Sequence, residues 1–176
     1  MKQILMLCLL ACIVSTSDAQ LALTKYVGKN AKAYNLGFGA FLKGAYSLNG
    51  TDDVTAELGV NFFTEKEDNA YGIANVPFKL GYRYKLNRSS TGFYVEPQVG
   101  YNFYGIYSYY NEGTYEDINI KYNGLILSPG AGYLFKRTGG VQPNVELRYD
   151  INVTPSGPYS WVSLRFTFNW AFGRKE

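Results

Sequence analysis

The run from Val162 to Phe172 has two unlike faces. Because side chains of a β-strand alternate between its faces with a period of two, residues of one parity lie on one side. One parity is apolar and aromatic: Val162, Leu164, Phe166, Phe168, Trp170 and Phe172. The other is polar or small: Ser163, Arg165, Thr167, Asn169 and Ala171. This pattern requires a sheet whose two sides meet different surroundings.

The same alternation recurs along most of the chain. Six further runs carry it: Tyr34–Leu48, Val54–Glu65, Asn75–Leu86, Phe93–Tyr104, about Tyr122–Phe135 and about Val141–Val153. Aromatic residues make up 17% of the chain, mostly Tyr, and Gly is frequent. Such a composition favours β-structure. We therefore expect an all-β protein.

The connections between these runs alternate in length. Short turns are predicted at Leu48–Asp53, which contains the strong hairpin signal Asn49-Gly50, and at 87–92 and 136–140. Longer segments lie at 66–74, 105–121 and 154–160. Short periplasmic turns that alternate with longer external loops are typical of outer-membrane barrels, which have an even number of strands in single bacterial chains.

An even number requires one strand more than the periodicity reveals. If the last strand ends in the periplasm, an upward strand must precede Tyr34, and only Gln20–Gly28 is available, with a hairpin near Lys29-Asn30. Leu21, Leu23 and Tyr26 are its candidate apolar residues. The alternative is seven strands plus an extra hairpin within 105–121. We predict an eight-stranded antiparallel up-and-down transmembrane β-barrel.

A soluble ligand-binding barrel also alternates, so the orientation of the two faces must be decided separately. The apolar parity holds too many large residues for the narrow interior of eight strands. The glycines take the polar parity, and small residues suit the crowded inner side of a tightly curved sheet. The charged residues also take the polar parity. This is expected if the other parity faces lipid, because a Lys or Arg facing lipid at mid-membrane costs about 2–4 kcal/mol. These observations predict an aromatic face in lipid and a charged lumen. Aromatic residues near strand ends suit the two membrane interfaces: Tyr34, Tyr46, Phe62, Tyr84, Phe93, Phe135 and Trp170.

The first residues resemble an export signal. Lys2 precedes an apolar stretch from Ile4 to Val14, and Ser17-Asp18-Ala19 is a small-residue cleavage site. The stretch is too short to span a bilayer as a helix. We predict a signal peptide at 1–19, cleaved before Gln20, and a barrel domain at 20–176 in the outer membrane. Leu9-Leu10-Ala11-Cys12 also resembles a lipobox, which would lipidate Cys12 instead.

Three segments carry a family resemblance. They are Asn75-Val76-Pro77-Phe78-Lys79-Leu80-Gly81-Tyr82-Arg83-Tyr84, Phe93-Tyr94-Val95-Glu96-Pro97-Gln98-Val99-Gly100-Tyr101 and Val145-Glu146-Leu147-Arg148-Tyr149. The chain resembles small outer-membrane barrels of the OmpA/OmpX/OmpW architecture, especially the outer membrane protein beta-barrel domain family of Bacteroidota. The resemblance implies insertion by the barrel-assembly machinery, which reads a terminal aromatic residue. Here Phe172 is followed by four residues, so Trp170 and Phe172 would have to serve despite that tail.

The chain offers little for catalysis. It contains no His, and both Cys residues lie before the predicted cleavage site. The commonest general base, metal ligand and nucleophile are thus missing from the predicted mature chain. We expect no catalytic site, cofactor or metal. A net charge of +3 without a basic stripe argues against nucleic-acid binding.

Charged residues of the lumen parity form the one constellation that could carry function. The positive and negative residues of this parity are nearly equal in number. This favours an ion-paired plug, since buried charges must be paired. The alternative is an ion pathway or polar ligand site, which would make the protein a small channel or carrier. The predicted network comprises Lys43, Glu57, Lys79, Arg83, Glu96, Glu146, Arg148, Asp150 and Arg165, with Arg83, Glu96, Glu146 and Arg148 at its centre.

The segment 105–121 is rich in Tyr and is a second candidate site. Exposed Tyr on a loop can form a binding surface, or Tyr can simply line the membrane rim. The candidate contact residues are Tyr107, Tyr109, Tyr110 and Tyr115. Expected partners are membrane lipid, the assembly machinery and an external ligand or protein that the sequence does not identify. We expect a monomer.

Overall fold

The computed structural model describes residues 16–32, 34–48, 51–64, 66, 72–111, 114–118, 123–138, 141–155 and 157–171. The predicted Asn49-Gly50 turn, Cys12 and Phe172 lie outside these ranges. The described strands are β1 Thr16–Val27, β2 Gly37–Ser47, β3 Asp53–Thr64, β4 Gly72–Lys85, β5 Gly92–Val95, β6 Gln98–Asn111, β7 Thr114–Ile118, β8 Gly124–Ser128, β9 Gly130–Leu134, β10 Val141–Thr154 and β11 Gly157–Ala171.

The strands close into a single antiparallel ring. Adjacent positions of the wall pair antiparallel, and β1 pairs with β11 over twelve rungs from Thr16↔Ala171 to Val27↔Ser160. β5 and β6 together occupy one position of the ring, and β8 and β9 together occupy the next. The ring therefore has eight positions, which confirms the predicted eight-stranded antiparallel barrel. A closed ring leaves no sheet edge within the barrel wall.

The two interrupted positions both break at a proline. Pro97 separates β5 from β6, and Pro129 separates β8 from β9. A proline lacks the N–H that a ladder requires. The alternation of faces nevertheless continues through both breaks, since Glu96 and Gln98 are buried and Pro97 is exposed.

The first strand is present, and it starts earlier than predicted. β1 begins at Thr16 and so includes the three residues of the predicted cleavage site, while cleavage itself stays a prediction. Leu21 and Leu23 face outward. The prediction was wrong for Tyr26, which takes the opposite parity and is buried inside. Lys25 lies on the outer face, two residues before β1 ends.

The segment 105–121 is a hairpin as well as a loop. β6 continues to Asn111 and pairs with β7 from Tyr107↔Ile118 to Asn111↔Thr114. The hairpin that we considered as a substitute for the eighth strand therefore exists in addition to it. Among the described residues, β7 pairs only with β6, so this hairpin extends one wall position beyond the ring.

The two ends of the barrel differ. At the end we call the turn end, chain connections pass through 48–52, 86–91 and 135–140, and both termini of the ring lie there. At the other, the loop end, lie the 3₁₀ turn Gly28–Lys32, the β6–β7 hairpin and the connection between β10 and β11. Among the described residues, no helix is long and apolar enough to span a bilayer.

The outer wall is apolar and the interior is polar, opposite to a soluble protein. Leu21 and Leu42 are 63% and 65% exposed, while Arg148 and Arg165 are fully buried. Aromatic residues near the strand ends also face outward, as at Tyr46, Tyr84 and Phe93. Tyr34 is an exception to the predicted interface set, because it precedes β2 and is buried within the loop end. The side chain of Trp170 lies outside the described part.

Candidate functional site: the charged lumen

Each barrel strand aims alternate side chains into the lumen, and the charged ones meet there. The structure buries all nine residues of the predicted network to within 2% exposure, and each contacts at least one member of opposite charge: Lys43, Glu57, Lys79, Arg83, Glu96, Glu146, Arg148, Asp150 and Arg165. They come from five strands (β2, β3, β4, β10 and β11) and the β5–β6 junction, which places them on opposite walls. They form one connected network.

Lys43 joins three carboxylates. Its Nζ lies 2.8 Å from Oε1 of Glu96, 3.2 Å from Oε2 of Glu146 and 3.4 Å from Oε2 of Glu57. These carboxylates stand on three different strand positions. A single ammonium therefore ties together walls that are far apart in sequence, as the 103 residues between Lys43 and Glu146 show.

One half of the network surrounds Glu96 and Glu146. Arg83 Nε donates to Oε2 of Glu96 at 2.7 Å, and Arg148 Nη2 lies 3.3 Å from Oε1 of the same carboxylate. Arg148 Nε also donates to Glu146. Arg83, Glu96, Glu146 and Arg148, which the sequence predicts at the centre, are thus in contact, and Lys43 shares that centre with them.

The other half surrounds Glu57 and Asp150. Lys79 Nζ lies 2.8 Å from Oε1 of Glu57 and 3.0 Å from Oδ1 of Asp150. Arg165 Nη1 donates to Oε1 of Glu57 at 2.7 Å. The guanidinium of Arg165 stands 4.1 Å from the ring centroid of Phe41, a cation–π contact inside the lumen.

Neutral donors complete the shell around the carboxylates. Tyr94 donates its O–H to Oε2 of Glu146 at 2.9 Å, and Gln98 Nε2 donates to Oε1 of Glu96 at 2.7 Å. Ser128 donates to Oδ1 of Asp150 at 2.6 Å. Each of these residues has lumen parity in its strand. Parity alone therefore places them in the lumen, although they carry no charge.

Two acidic residues of the lumen were missed for different reasons. Asp53 pairs with Lys85 at 2.9 Å near the turn end, where it was assigned to a turn. Asp18 is fully buried in β1 and lies opposite Lys43 in the β1–β2 register, but it was assigned to the signal peptide. Cleavage after Ala19 would remove Asp18 from the lumen.

An apolar cluster fills the lumen at the loop end, and we call it the aromatic lid. The ring centroids of Tyr26 and Phe63 are 4.2 Å apart, and Trp161 packs edge-on 6.0 Å from each. The full set is Tyr26, Tyr34, Phe63, Ile73, Ile126 and Trp161. The lid was not predicted, because lumen parity was expected to be polar along the whole of each strand.

Glycines leave space for the long charged side chains. At Gly100, an added Cβ would lie 2.0 Å from the carbonyl oxygen of Phe78 and 2.7 Å from the side chain of Lys79. At Gly130, it would meet the guanidinium of Arg148 at 2.9 Å. These positions are small because the network occupies the space beside them.

The Tyr-rich candidate surface lies on the β6–β7 hairpin. The register places Tyr110 opposite Tyr115 and Tyr109 opposite Glu116. Tyr107 and Tyr109 therefore occupy one face of the hairpin, and Tyr110 and Tyr115 the other, since opposed positions share a face. The four positions are close in sequence but divide between the two faces of the hairpin register.

The lumen carboxylates are arranged for ion pairing. Among the described residues, no group of three potential His, Cys, Asp or Glu ligands could hold a metal ion. Glu57, Glu96, Glu146 and Asp150 each face Lys or Arg instead. The arrangement can neutralise charge and cross-link strands.

The comparisons with known proteins agree with this architecture. The sequence matches no family model and no curated protein. Among solved structures, it is similar to Neisserial surface protein A, with 13% identity and a TM-score of 0.63 over 89% of this chain and 96% of that one. It is also similar to Ail, the attachment invasion locus protein of Yersinia pestis, in complex with the heparin analogue sucrose octasulfate (14%, TM-score 0.60, 88% and 97%).

A third similar structure is the N-terminal β-barrel domain of Pseudomonas aeruginosa OprF, at 13% identity and a TM-score of 0.51 over 89% of this chain and 98% of that chain. Identities this low show the fold alone, so the narrower resemblance to a Bacteroidota family stays a prediction. The chain has the eight-stranded antiparallel fold of outer-membrane β-barrels.

Proposed function

We propose that this protein is an integral outer-membrane barrel with a structural or surface-interaction role, and that its lumen is a closed, ion-paired plug. The observation that carries the proposal is the contact of Lys43 with Glu57, Glu96 and Glu146 in the middle of a fully buried network. A single cation that contacts carboxylates on three walls stands in the path that a hydrated ion would take through the lumen.

Energetics also support a closed lumen. Removing one partner from a buried ion pair costs about 3–5 kcal/mol, because the other charge is left uncompensated. A passing ion would have to separate several such contacts together, since Lys43, Arg83 and Arg148 share Glu96. The aromatic lid adds a second obstruction at the loop end. The alternative, a small channel or carrier, needs this packing to open.

We further propose that the protein acts without catalysis and reaches the outer membrane through its predicted signal peptide. The chain contains no His, and the four carboxylates of the ion network, Glu57, Glu96, Glu146 and Asp150, each pair with Lys or Arg. The apolar outer wall suits lipid, and the similar structures are outer-membrane barrels. Fractionation of cell envelopes, with heat-modifiable gel migration of the outer-membrane fraction, tests the location. Recovery in the soluble periplasm would contradict it.

Planar-bilayer recording tests the plug. We expect no large, stable conductance from the purified protein. Lys43→Met tests which residue closes the lumen, because it removes the central ammonium without changing the outer wall. We expect this variant to conduct in brief, unstable events if it folds. A large, ion-selective and steady current through the unmodified protein would favour the channel alternative.

The β6–β7 hairpin is the proposed interaction surface. It extends beyond the ring, and its sequence from Tyr107 to Ile118 carries Glu112, Glu116 and Asp117 without any Lys or Arg. A polyanion such as the heparin analogue in the Ail complex would be repelled by these charges, so we favour a cationic external partner. Binding of cationic and sulfated polymers, compared with a variant that lacks 107–118, tests this assignment.

A further inference from the structure

A layer of neutral polar side chains lies between the aromatic lid and the ion network, and we call it the amide belt. It comprises Thr24, Asn61, Asn75, Ser163 and the indole N–H of Trp161. Thr24 on β1 is opposite Ser163 on β11, and Asn61 on β3 is opposite Asn75 on β4. These strands adjoin one another around β2, so the side chains face a common part of the lumen.

The belt is buried, and several of its polar atoms have no hydrogen-bond partner among the described residues. Each of its five side chains is at most 1% exposed. The unpartnered atoms are Thr24 Oγ1, Asn61 Oδ1 and Nδ2, Asn75 Nδ2, Ser163 Oγ and Trp161 Nε1. They include both donors and acceptors, and none carries a charge.

β2 packs closely against two of these residues. A Cβ at Gly37 would lie 2.3 Å from the carbonyl oxygen of Phe62 and 2.7 Å from Thr24 Oγ1. One at Gly39 would lie 2.5 Å from Asn61 Oδ1 and 2.8 Å from the ring of Phe41. The β2 side of the belt is therefore filled by protein atoms, which excludes a larger solute there.

We propose that the amide belt binds ordered water molecules that bridge its side chains. A buried donor or acceptor without a partner pays the full cost of its desolvation, and native interiors leave few such groups. Water both donates and accepts, and it typically makes two to four hydrogen bonds when buried. The belt offers no charged side chain that could bind an ion. The aromatic lid and the close contacts at Gly37 and Gly39 leave little room for a larger solute.

A matched pair of substitutions tests the proposal. Thr24→Val removes a belt hydroxyl that has no partner in the described part of the chain, and Thr55→Val removes a buried hydroxyl that donates to Glu96 at 3.2 Å. If water bridges the belt, Thr24→Val loses a real hydrogen bond. It should then lower the midpoint temperature of heat-modifiable gel migration about as much as Thr55→Val does. An unchanged or raised midpoint for Thr24→Val, with a lowered one for Thr55→Val, would overturn the proposal.

Nuclear magnetic resonance of the unmodified protein in lipid nanodiscs gives a second test. The signal of the Trp161 indole proton is identified by its disappearance in Trp161→Phe. In a nuclear Overhauser spectrum, this proton should show a cross-peak to water whose sign indicates a long-lived bound water molecule. Absence of that cross-peak would contradict bound water at this donor. Neither measurement depends on conductance, so the belt and the closed lumen can fail separately.

Discussion

Arg83 and Glu96 form a direct ion pair inside the lumen, with Nε of the guanidinium 2.7 Å from Oε2 of the carboxylate. They lie on neighbouring positions of the ring, at the end of β4 and just after β5. The guanidinium also stands 4.7 Å from the ring centroid of Tyr94. Both charges are buried, so the pair is held by its partners and not by solvent. Its two members should therefore be strongly coupled.

A double-mutant cycle measures this coupling. We expect Arg83→Met and Glu96→Gln each to lower the free energy of unfolding by about 3–5 kcal/mol, because each removes one partner of a buried ion pair. The double variant should cost less than the sum, with a coupling of about 1–3 kcal/mol. Urea unfolding from lipid vesicles provides the values. The comparison pair is Lys85→Met with Asp53→Asn, whose side chains are 13% and 9% exposed and whose coupling should be the smaller of the two. Equal coupling in the two cycles would show that burial is not decisive.

The backbone beside Gly100 leaves no space for the methyl group of an alanine. Its Cβ would lie 2.0 Å from the carbonyl oxygen of Phe78, which belongs to the paired strand and cannot move alone. We expect Gly100→Ala to lower the free energy of unfolding by about 1–3 kcal/mol through overpacking. Gly130→Ala is the control, because its Cβ meets the guanidinium of Arg148, the end of a long side chain. If urea unfolding showed a larger loss of stability for Gly130→Ala than for Gly100→Ala, this prediction would be wrong. The ion network would then yield less to an added methyl group than the barrel wall does.

The architecture could be predicted because membrane and lumen impose opposite demands on adjacent residues. One orientation, with the apolar face outward and the polar face toward the lumen, agrees with the period-two alternation. It also agrees with the parity of Gly59 and Gly100 and with that of Lys43 and Glu57. The first strand required the additional rule of an even strand number. Its start at Thr16 was missed, because the same residues also satisfy the pattern of a cleavage site.

The interior was harder to predict than the wall. Parity places Lys43 in the lumen, but the choice of Glu57, Glu96 and Glu146 as its partners depends on strand stagger and barrel radius, which alternation does not specify. Likewise Tyr26 and Trp161 have lumen parity, yet their aromatic character suggested lipid for Tyr26. Both residues lie beyond the ion network, at the loop end of the lumen. Apolar side chains are tolerated there because they pack against one another in the aromatic lid.

Trp161 should be important for stability without being the sole barrier to ions. It is 1% exposed within the aromatic lid, so Trp161→Ala should cost about 3–5 kcal/mol in the free energy of unfolding. The ion network lies below it and stays intact. We therefore expect no steady current from Trp161→Ala in planar bilayers. A steady current would place the main closure in the lid and remove that role from Lys43.

The outer face of β2 offers a direct test of the membrane environment. Leu42 is 65% exposed near the middle of its strand, and Leu86 is 53% exposed just beyond the turn end of β4. In lipid, Leu42→Arg should cost about 2–4 kcal/mol in the free energy of unfolding, whereas Leu86→Arg should cost about 0–1 kcal/mol near the interface. Reversible unfolding from vesicles compares the two variants under one condition. A protein with this wall in water would show little difference, because an exposed Arg is tolerated at either position. Equal costs would therefore contradict the assignment of the apolar face to lipid, even if the barrel and its ion network were unchanged.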